Sequence, residues 1–196
     1  MNTNQDTLLV ASIKNGEANA FAHLVDQYKD LVFTLAIRML KHREEAEEVA
    51  QDVFIKIFKS LNNFKGDSKL STWIYRVTYN CCLDQLKKTK KFLKDVPIDE
   101  HNYNKIDTID NALDGLIKEE KQQLIRNCVN KLPEDSSALI TLFYFDELSL
   151  DEISDITGIE ANTVKVKLFR ARKKLAKIME HYIMPQNNLK YGTWRW

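Results

Sequence analysis

Apolar residues recur at helical spacing along most of the chain. From Ala18 to Leu40, the residues Phe21, Leu24, Val25, Tyr28, Leu31, Val32, Leu35, Ile37 and Leu40 form a wide stripe, which predicts a long helix with one buried face. A short helix over about Asp6 to Asn15 precedes it, and Lys41-His42 turns the chain. The next pattern, Arg43 to Leu61, puts Ala46, Val49, Ala50, Val53, Ile57 and Leu61 on one stripe, flanked by Phe54 and Phe58. Asn62 to Lys69 is polar and reads as a loop, and Ser71 to about Lys91 reads as a third long helix with Ile74, Val77 and Cys81 as core and Trp73 beside them. Periodicity weakens from Phe92 to Lys118, a stretch with many acids and Pro97, which reads as a linker. Helices resume near Glu119, break at Leu132-Pro133 and continue to about Asp146. After Met184-Pro185 the sequence is unpatterned.

The most informative pattern is Ser149 to Lys177. Ser149 with Glu152 three positions on makes a capping box that starts one helix. Gly158 suits the left-handed residue that ends it. A second helix from about Glu160 buries Val164, Leu168, Ala171, Leu175 and Ile178. Its opposite face carries Asn162, Val166, Phe169, Arg170, Lys173 and Lys177, flanked by Lys165, Lys167, Arg172 and Lys174, with no acid between Glu160 and Glu180. Arg and Lys pair with phosphates and guanine edges, while Val and Phe meet thymine methyl groups. This predicts a helix-turn-helix with its second helix in a major groove. A basic amphipathic helix packed on other helices is the plainer alternative. The fold class is therefore all-α, with two helical domains joined by a linker and the helix-turn-helix in the second. The expected divisions are 1–92, an acidic linker over 93–118, 119–184 and a tail over 185–196.

Composition changes this picture only in part. The 196 residues are 44% hydrophobic, enough for packed cores, and the formal net charge is +1. The charge is segregated instead. Glu44, Glu45, Glu47, Glu48 and Asp52 form an acidic block, and Lys87, Lys88, Lys90, Lys91 and Lys94 a basic one. That arrangement suits several partners of different sign. Three cysteines, Cys81, Cys82 and Cys128, match neither a disulfide framework nor a zinc spacing and read as core thiols, with a redox sensor as the alternative. No metal, cofactor, nucleophile-base set or phosphate-binding glycine loop is expected. The first residues lack a basic start and a long apolar run, so a cytoplasmic location is expected.

Two further stretches carry candidate chemistry. Glu44 to Leu61 turns Gln51, Asp52 and Lys56 away from the buried stripe together with the acids. It is either a core helix with a solvated edge or a docking helix for a basic and apolar partner. Phe64 to Leu86 leads from the loop Lys65-Gly66-Asp67-Ser68 into a helix bearing Trp73, Tyr75, Arg76, Tyr79 and Asn80, and then into the lysine run. Aromatic rings that stack on bases, an amide that reads base edges and lysines that track phosphates suit an unstacked single strand. Core packing of the same aromatics is the alternative.

Taken in order, AFAHLVDQYKDLVFTLAIRML, EEAEEVAQDVFIKIFKSL, FKGDSKLSTWIYRVTYNCCLDQLKK and LSLDEISDITGIEANTVKVKLFRARKKL resemble a bacterial extracytoplasmic-function (ECF) sigma factor of the sigma-70 superfamily, from about Leu8 to Met179. The resemblance implies an alternative sigma factor, not an enzyme, that binds core RNA polymerase through the β′ clamp helices and the β subunit and directs promoter-specific initiation. It implies polymerase contacts at Glu48, Gln51, Asp52, Phe54 and Ile55. It implies capture of a flipped base of the melted downstream element by Phe64, Lys65, Gly66, Asp67, Ser68, Arg76 and Asn80. It implies duplex reading of the upstream element by Thr163, Lys165, Val166, Lys167, Phe169 and Arg170, to which the outer-face pattern adds Asn162 and Lys173. An anti-sigma partner is also implied, as is a linker passing near the RNA exit path, with Asp95 to Glu120 as a mere tether the alternative. Many relatives have Arg where this chain has Lys165 and Lys167, and Cys81-Cys82 replaces small aliphatic residues. A stand-alone helix-turn-helix regulator and a sequestering adaptor are the rival readings; neither accounts for all four stretches.

Overall fold

A computed structural model describes residues 3–92 and 118–190, and these residues form helices and connecting turns with no strand among them. The helices are α1 (Thr3–Lys14), α2 (Ala18–Leu40), α3 (Arg43–Ser60), α4 (Leu70–Phe92), α5 (Lys118–Asn130), α6 (Glu134–Ile140), α7 (Leu150–Thr157) and α8 (Ala161–Lys190). A 3-10 turn, Leu61–Asn63, follows α3, and a π-helical turn, Thr141–Phe145, extends α6. The acidic linker expected over 93–118 lies outside the described residues except at its last position.

The stripes read from the sequence are the buried faces. Leu24, Tyr28, Val32, Leu35 and Met39 of α2 meet Ala46, Val49, Val53 and Ile57 of α3, and α4 closes the bundle with Ile74 and Cys82. Lys41 ends α2 in the left-handed region at φ 64°, with its N–H on the Ile37 carbonyl. The left-handed residue is what reverses the chain into α3 within two residues. Acids at Glu44 and Glu45 then stand at the positive end of the α3 dipole. Helix α1 is tied down by the buried Asp6 carboxylate, which accepts hydrogen bonds from Tyr28 Oη and Gln27 Nε2, both at 3.1 Å. Val77 is half-buried at the rim of this core, and Trp73 is half-buried against Phe64.

In the second half, both halves of the Ser149–Glu152 capping box are made, and Gly158 ends α7 at φ 70°. Ile153 and Ile156 of α7 pack with Val164, Leu168 and Ala171 of α8. Leu132, Leu139 and Leu142 join them, and this group is continuous with the core of the first bundle. Helix α8 runs to Lys190, past Pro185, so the backbone is helical where the pattern had suggested a tail from 185. A proline removes one helical hydrogen bond and strains the preceding turn, but a long helix survives that local loss.

All three thiols are buried and free. Burial pushes each above its ordinary range, Cys82 to about 12. The thiolate is the reactive species, so burial both blocks access and withholds it. The folded protein is expected to resist thiol-specific alkylation at pH 8, all three cysteines reacting only once denaturant unfolds the chain. Prompt labelling of any one of them under native conditions, read by mass spectrometry, would contradict this packing.

Candidate nucleic-acid and polymerase interface

The helix-turn-helix presents its outer face as its spacing predicts. Asn162, Thr163, Lys165, Val166, Phe169 and Arg170 are exposed, while Val164, Leu168 and Ala171 on the opposite side are buried. Val166 and Phe169, three residues apart on one face, are 50% and 51% exposed. Lys173 and Lys167 are partly engaged. Lys173 Nζ stands 4.8 Å above the Phe169 ring, and Lys167 Nζ lies 3.9 Å from Asp135 Oδ2 of α6. The ring under Lys173 fixes where its charge sits.

The acidic helix α3 also has one buried and one open side. Glu48, Gln51, Asp52 and Ile55 are exposed and Phe54 is half-buried. Phe58, read from the sequence only as a flank of the buried stripe, is 61% exposed, with its ring edge-on to Phe21 at 5.0 Å. It follows Phe54 by four residues and Ile55 by three, a spacing that puts all three on one side. The signal was in the sequence, but the wide stripe hid which aromatic falls outside the core. Lys56, one residue after Ile55, lies 4.0 Å from Asp84 of α4.

The third group lies between α3 and α4. Phe64 is half-buried, 5.4 Å from the Trp73 ring, and its carbonyl accepts a hydrogen bond from Lys14 Nζ at 2.9 Å. Gly66 takes φ 83°, a conformation that side chains strain, and lets the loop fold back on α4. Lys65, Gly66 and Asp67 are exposed and Ser68 is half-buried. Arg76 and Asn80, one turn apart on α4, are both exposed. A cleft of about 180 Å³ opens beside the loop, lined by Phe64, Gly66, Ser68, Lys69, Leu70 and Ser71 together with Asp6 and Thr7 of α1, Leu148 and Glu152. The last four were missed from sequence, because nothing local connects them to the loop.

Tyr75 and Tyr79 are a correction. The sequence offered them as stacking rings, yet both are buried, at 5% exposure. The second half of the chain lies over them. Burial, and after it the negative charge of Asp146, raises the Tyr75 pKa. Burial and Asp135 push Tyr79 up to about 12. Asp146 is itself raised by burial, against the opposing pull of Tyr75 and Arg38. Glu152 is lowered, first by its hydrogen bond from Lys69 and then by the Ser149 N–H. Among the described residues no cluster of His, Cys, Asp and Glu could hold a metal ion, and no helix is long and apolar enough to cross a membrane.

Residues 24–92 match the sigma-70 region 2 family and residues 122–175 the sigma-70 region 4 family. The ECF RNA polymerase sigma factor SigW of Bacillus subtilis is 35% identical over 175 residues, covering 86% of this chain and 93% of that protein. The ECF RNA polymerase sigma-E factor of Escherichia coli strain K12 is 32% identical over 176 residues, covering 87% and 92%. Among solved structures, CnrH in complex with the cytosolic domain of CnrY shares the fold at a TM-score of 0.62 and 19% identity, covering 89% of this chain and 96% of that one. The sigma factor RpoE of Bartonella quintana, solved with the anti-sigma factor NepR, does so at 0.61 and 21%, covering 82% and 96%. Two sigma-70 regions in order, and relatives above 30% identity aligned over nearly their whole length, carry one conclusion: the chain belongs to the ECF group of RNA polymerase sigma factors, alternative factors for transcription initiation.

Proposed function

We propose that this chain lends promoter specificity to core RNA polymerase through three separate faces. The α8 outer face reads the upstream element as duplex. The loop from Phe64 to Ser68, with Arg76 and Asn80, captures the melted downstream element. The exposed side of α3, with Glu48, Gln51, Asp52, Phe54 and Ile55 and now Phe58, docks on the β′ clamp helices, and further contacts fall on the β subunit. The observation that carries this reading is the outer face of α8, where half-exposed Val166 and Phe169 stand among cations on a helix that buries Val164, Leu168 and Ala171 on its other side. Apolar side chains amid cations match a groove that offers both methyl groups and phosphates. A stand-alone duplex-binding regulator would leave the α3 side and the capture loop without a role. An anti-sigma factor is the other proposed partner, since the structural relatives CnrH and RpoE were solved with CnrY and NepR.

Duplex reading separates specific from uniform contacts. Arg170→Ala is expected to cost about 1–3 kcal/mol on the preferred upstream duplex and little on random duplex. Lys173→Ala is expected to weaken both alike and to lower the salt slope by about one. Titrations of matched and scrambled duplexes at several salt concentrations measure this. Equal losses on both duplexes for Arg170→Ala would remove it from the reading set.

Strand capture rests on Asn80. It is exposed, so its removal leaves no buried partner unpaired. Asn80→Ala should keep the thermal midpoint, polymerase binding and upstream duplex binding, and lose promoter melting on linear DNA. The defect should shrink on a template supplied already unpaired, because unstacking then costs less. Fluorescent-base melting assays on both templates decide it, and normal melting by the variant would exclude Asn80 from the capture face.

A further inference from the structure

None of the contacts proposed above falls on α1, yet this helix ends against the loop from Phe64 to Ser68. Lys14 Nζ, in its last turn, donates to the Phe64 carbonyl at 2.9 Å, across fifty residues of chain. A lysine at a helix C-terminus ordinarily serves that helix's own last carbonyls and dipole. Here the carbonyls beside it are already occupied. The Gly16 N–H bonds the Ile13 carbonyl at 3.0 Å and the Glu17 N–H the Ser12 carbonyl at 3.1 Å, with Gly16 at φ 84°. These are the paired bonds of a left-handed helix stop, and they fix the backbone from which Lys14 reaches out. The start of α1 is fixed too. Asp6, 9% exposed, accepts from Tyr28 Oη and Gln27 Nε2 of α2, and Val10 is buried one turn later. Asp6 and Thr7 also line the cleft that Phe64, Gly66 and Ser68 border from the loop side.

We propose that α1 is a positioning element for the strand-capture loop, with Lys14 as the residue through which it acts. The carbonyl that Lys14 holds belongs to the peptide joining Phe64 to Lys65. That unit is planar, so holding its oxygen also orients the Lys65 nitrogen and Cα, and sets the direction in which the exposed part of the loop departs. Phe64 is held on two further sides, its N–H on the Leu61 carbonyl at 3.0 Å and its ring 5.4 Å from that of Trp73. Those two secure the residue up to its Cα. The bond from Lys14 acts on the next rotation, ψ, which stands at 113°. Beyond it Lys65, Gly66 and Asp67 are all exposed, and Gly66 adds the freedom of a residue without a side chain. An error in ψ at Phe64 would therefore be carried through the whole loop. A base that enters beside Phe64 then meets a loop whose course is already set, which reduces the ordering that capture requires. Lys14 touches the loop and not the strand. What the positioning serves rests on the strand-capture reading above, whereas the tie between α1 and the loop rests only on the contacts just described.

Two variants of the full chain test it. Lys14→Met keeps the length of the side chain and loses the donor, and Lys14→Arg keeps a donor. Both should retain the parental thermal midpoint by circular dichroism, because one exposed hydrogen bond is small beside the core. Trypsin cuts after Lys65 only as fast as the loop loosens to admit it. In the free protein the initial rate of that cut, followed by fragment mass, should rise about threefold or more in Lys14→Met and stay parental in Lys14→Arg. An unchanged rate in Lys14→Met would overturn the positioning role without reference to DNA. With core polymerase, Lys14→Met should slow melting of a linear promoter about threefold or more, Lys14→Arg should restore it, and the salt slope of promoter binding should not change. A slope lower by about one in Lys14→Met would make Lys14 a phosphate contact and overturn the proposal. A faster cut with normal melting would overturn the role in capture. Asn80→Ala then tells which statement has failed, since its normal melting strikes the capture reading and its defect strikes Lys14 alone.

Discussion

Helix α4 is asked to serve three neighbours with one circumference, and the rest of the molecule is arranged around that constraint. Ile74 and Cys82 close the α2–α3 core, Tyr75 and Tyr79 receive the second domain, and Arg76 and Asn80 face solvent. A helix has room for little more, since neighbours on one face recur only every three or four residues. Residues in direct succession therefore have unrelated duties. Tyr75 lies under Asp146 while Arg76, next in sequence, is exposed. The hydrophobic core is the dominant favourable term, and the polar ties at its edge decide which surfaces it is continuous with.

Charge is organised in the same divided way. A net of +1 conceals an acidic α3 and a basic α8, set on separate helices with their apolar faces turned inward. The proposed docking face and the proposed duplex face therefore act over different fields, and a Debye length of about 8–10 Å at ordinary salt keeps distant faces largely independent. Where opposite charges do meet across elements, as at Lys167 with Asp135 and Lys69 with Glu152, the pairs are partly exposed and shape geometry more than stability.

What could be read from the sequence was local. The α2 and α3 stripes, the capping box at Ser149, the turn at Gly158 and the outer face of α8 all follow from spacing within a few turns, and each lies where its pattern placed it. The resemblance to ECF sigma factors, read from four motifs in order, holds as well. What escaped was set by contacts between residues far apart in the chain. Tyr75 and Tyr79 looked like free rings because Asp146 and Asp135 lie more than fifty residues away. Leu148 and Glu152 join the cleft beside Phe64 and Gly66 for the same reason. Phe58 could not be sorted from the core stripe until α2 was packed against it, and the π-helical turn at Thr141–Phe145 has no sequence signature of its own.

As proposed, this chain makes a non-selective core polymerase promoter-selective. The direct measurement is multiple-round transcription by purified core RNA polymerase on a linear template carrying a promoter of the chain's own regulon, with and without the full-length protein. Transcripts of one defined start, dependent on the added chain and abolished when the upstream element is scrambled, are the predicted result. Transcription unchanged by the chain, or initiation it stimulates equally on the scrambled template, would rule out promoter selection by this protein.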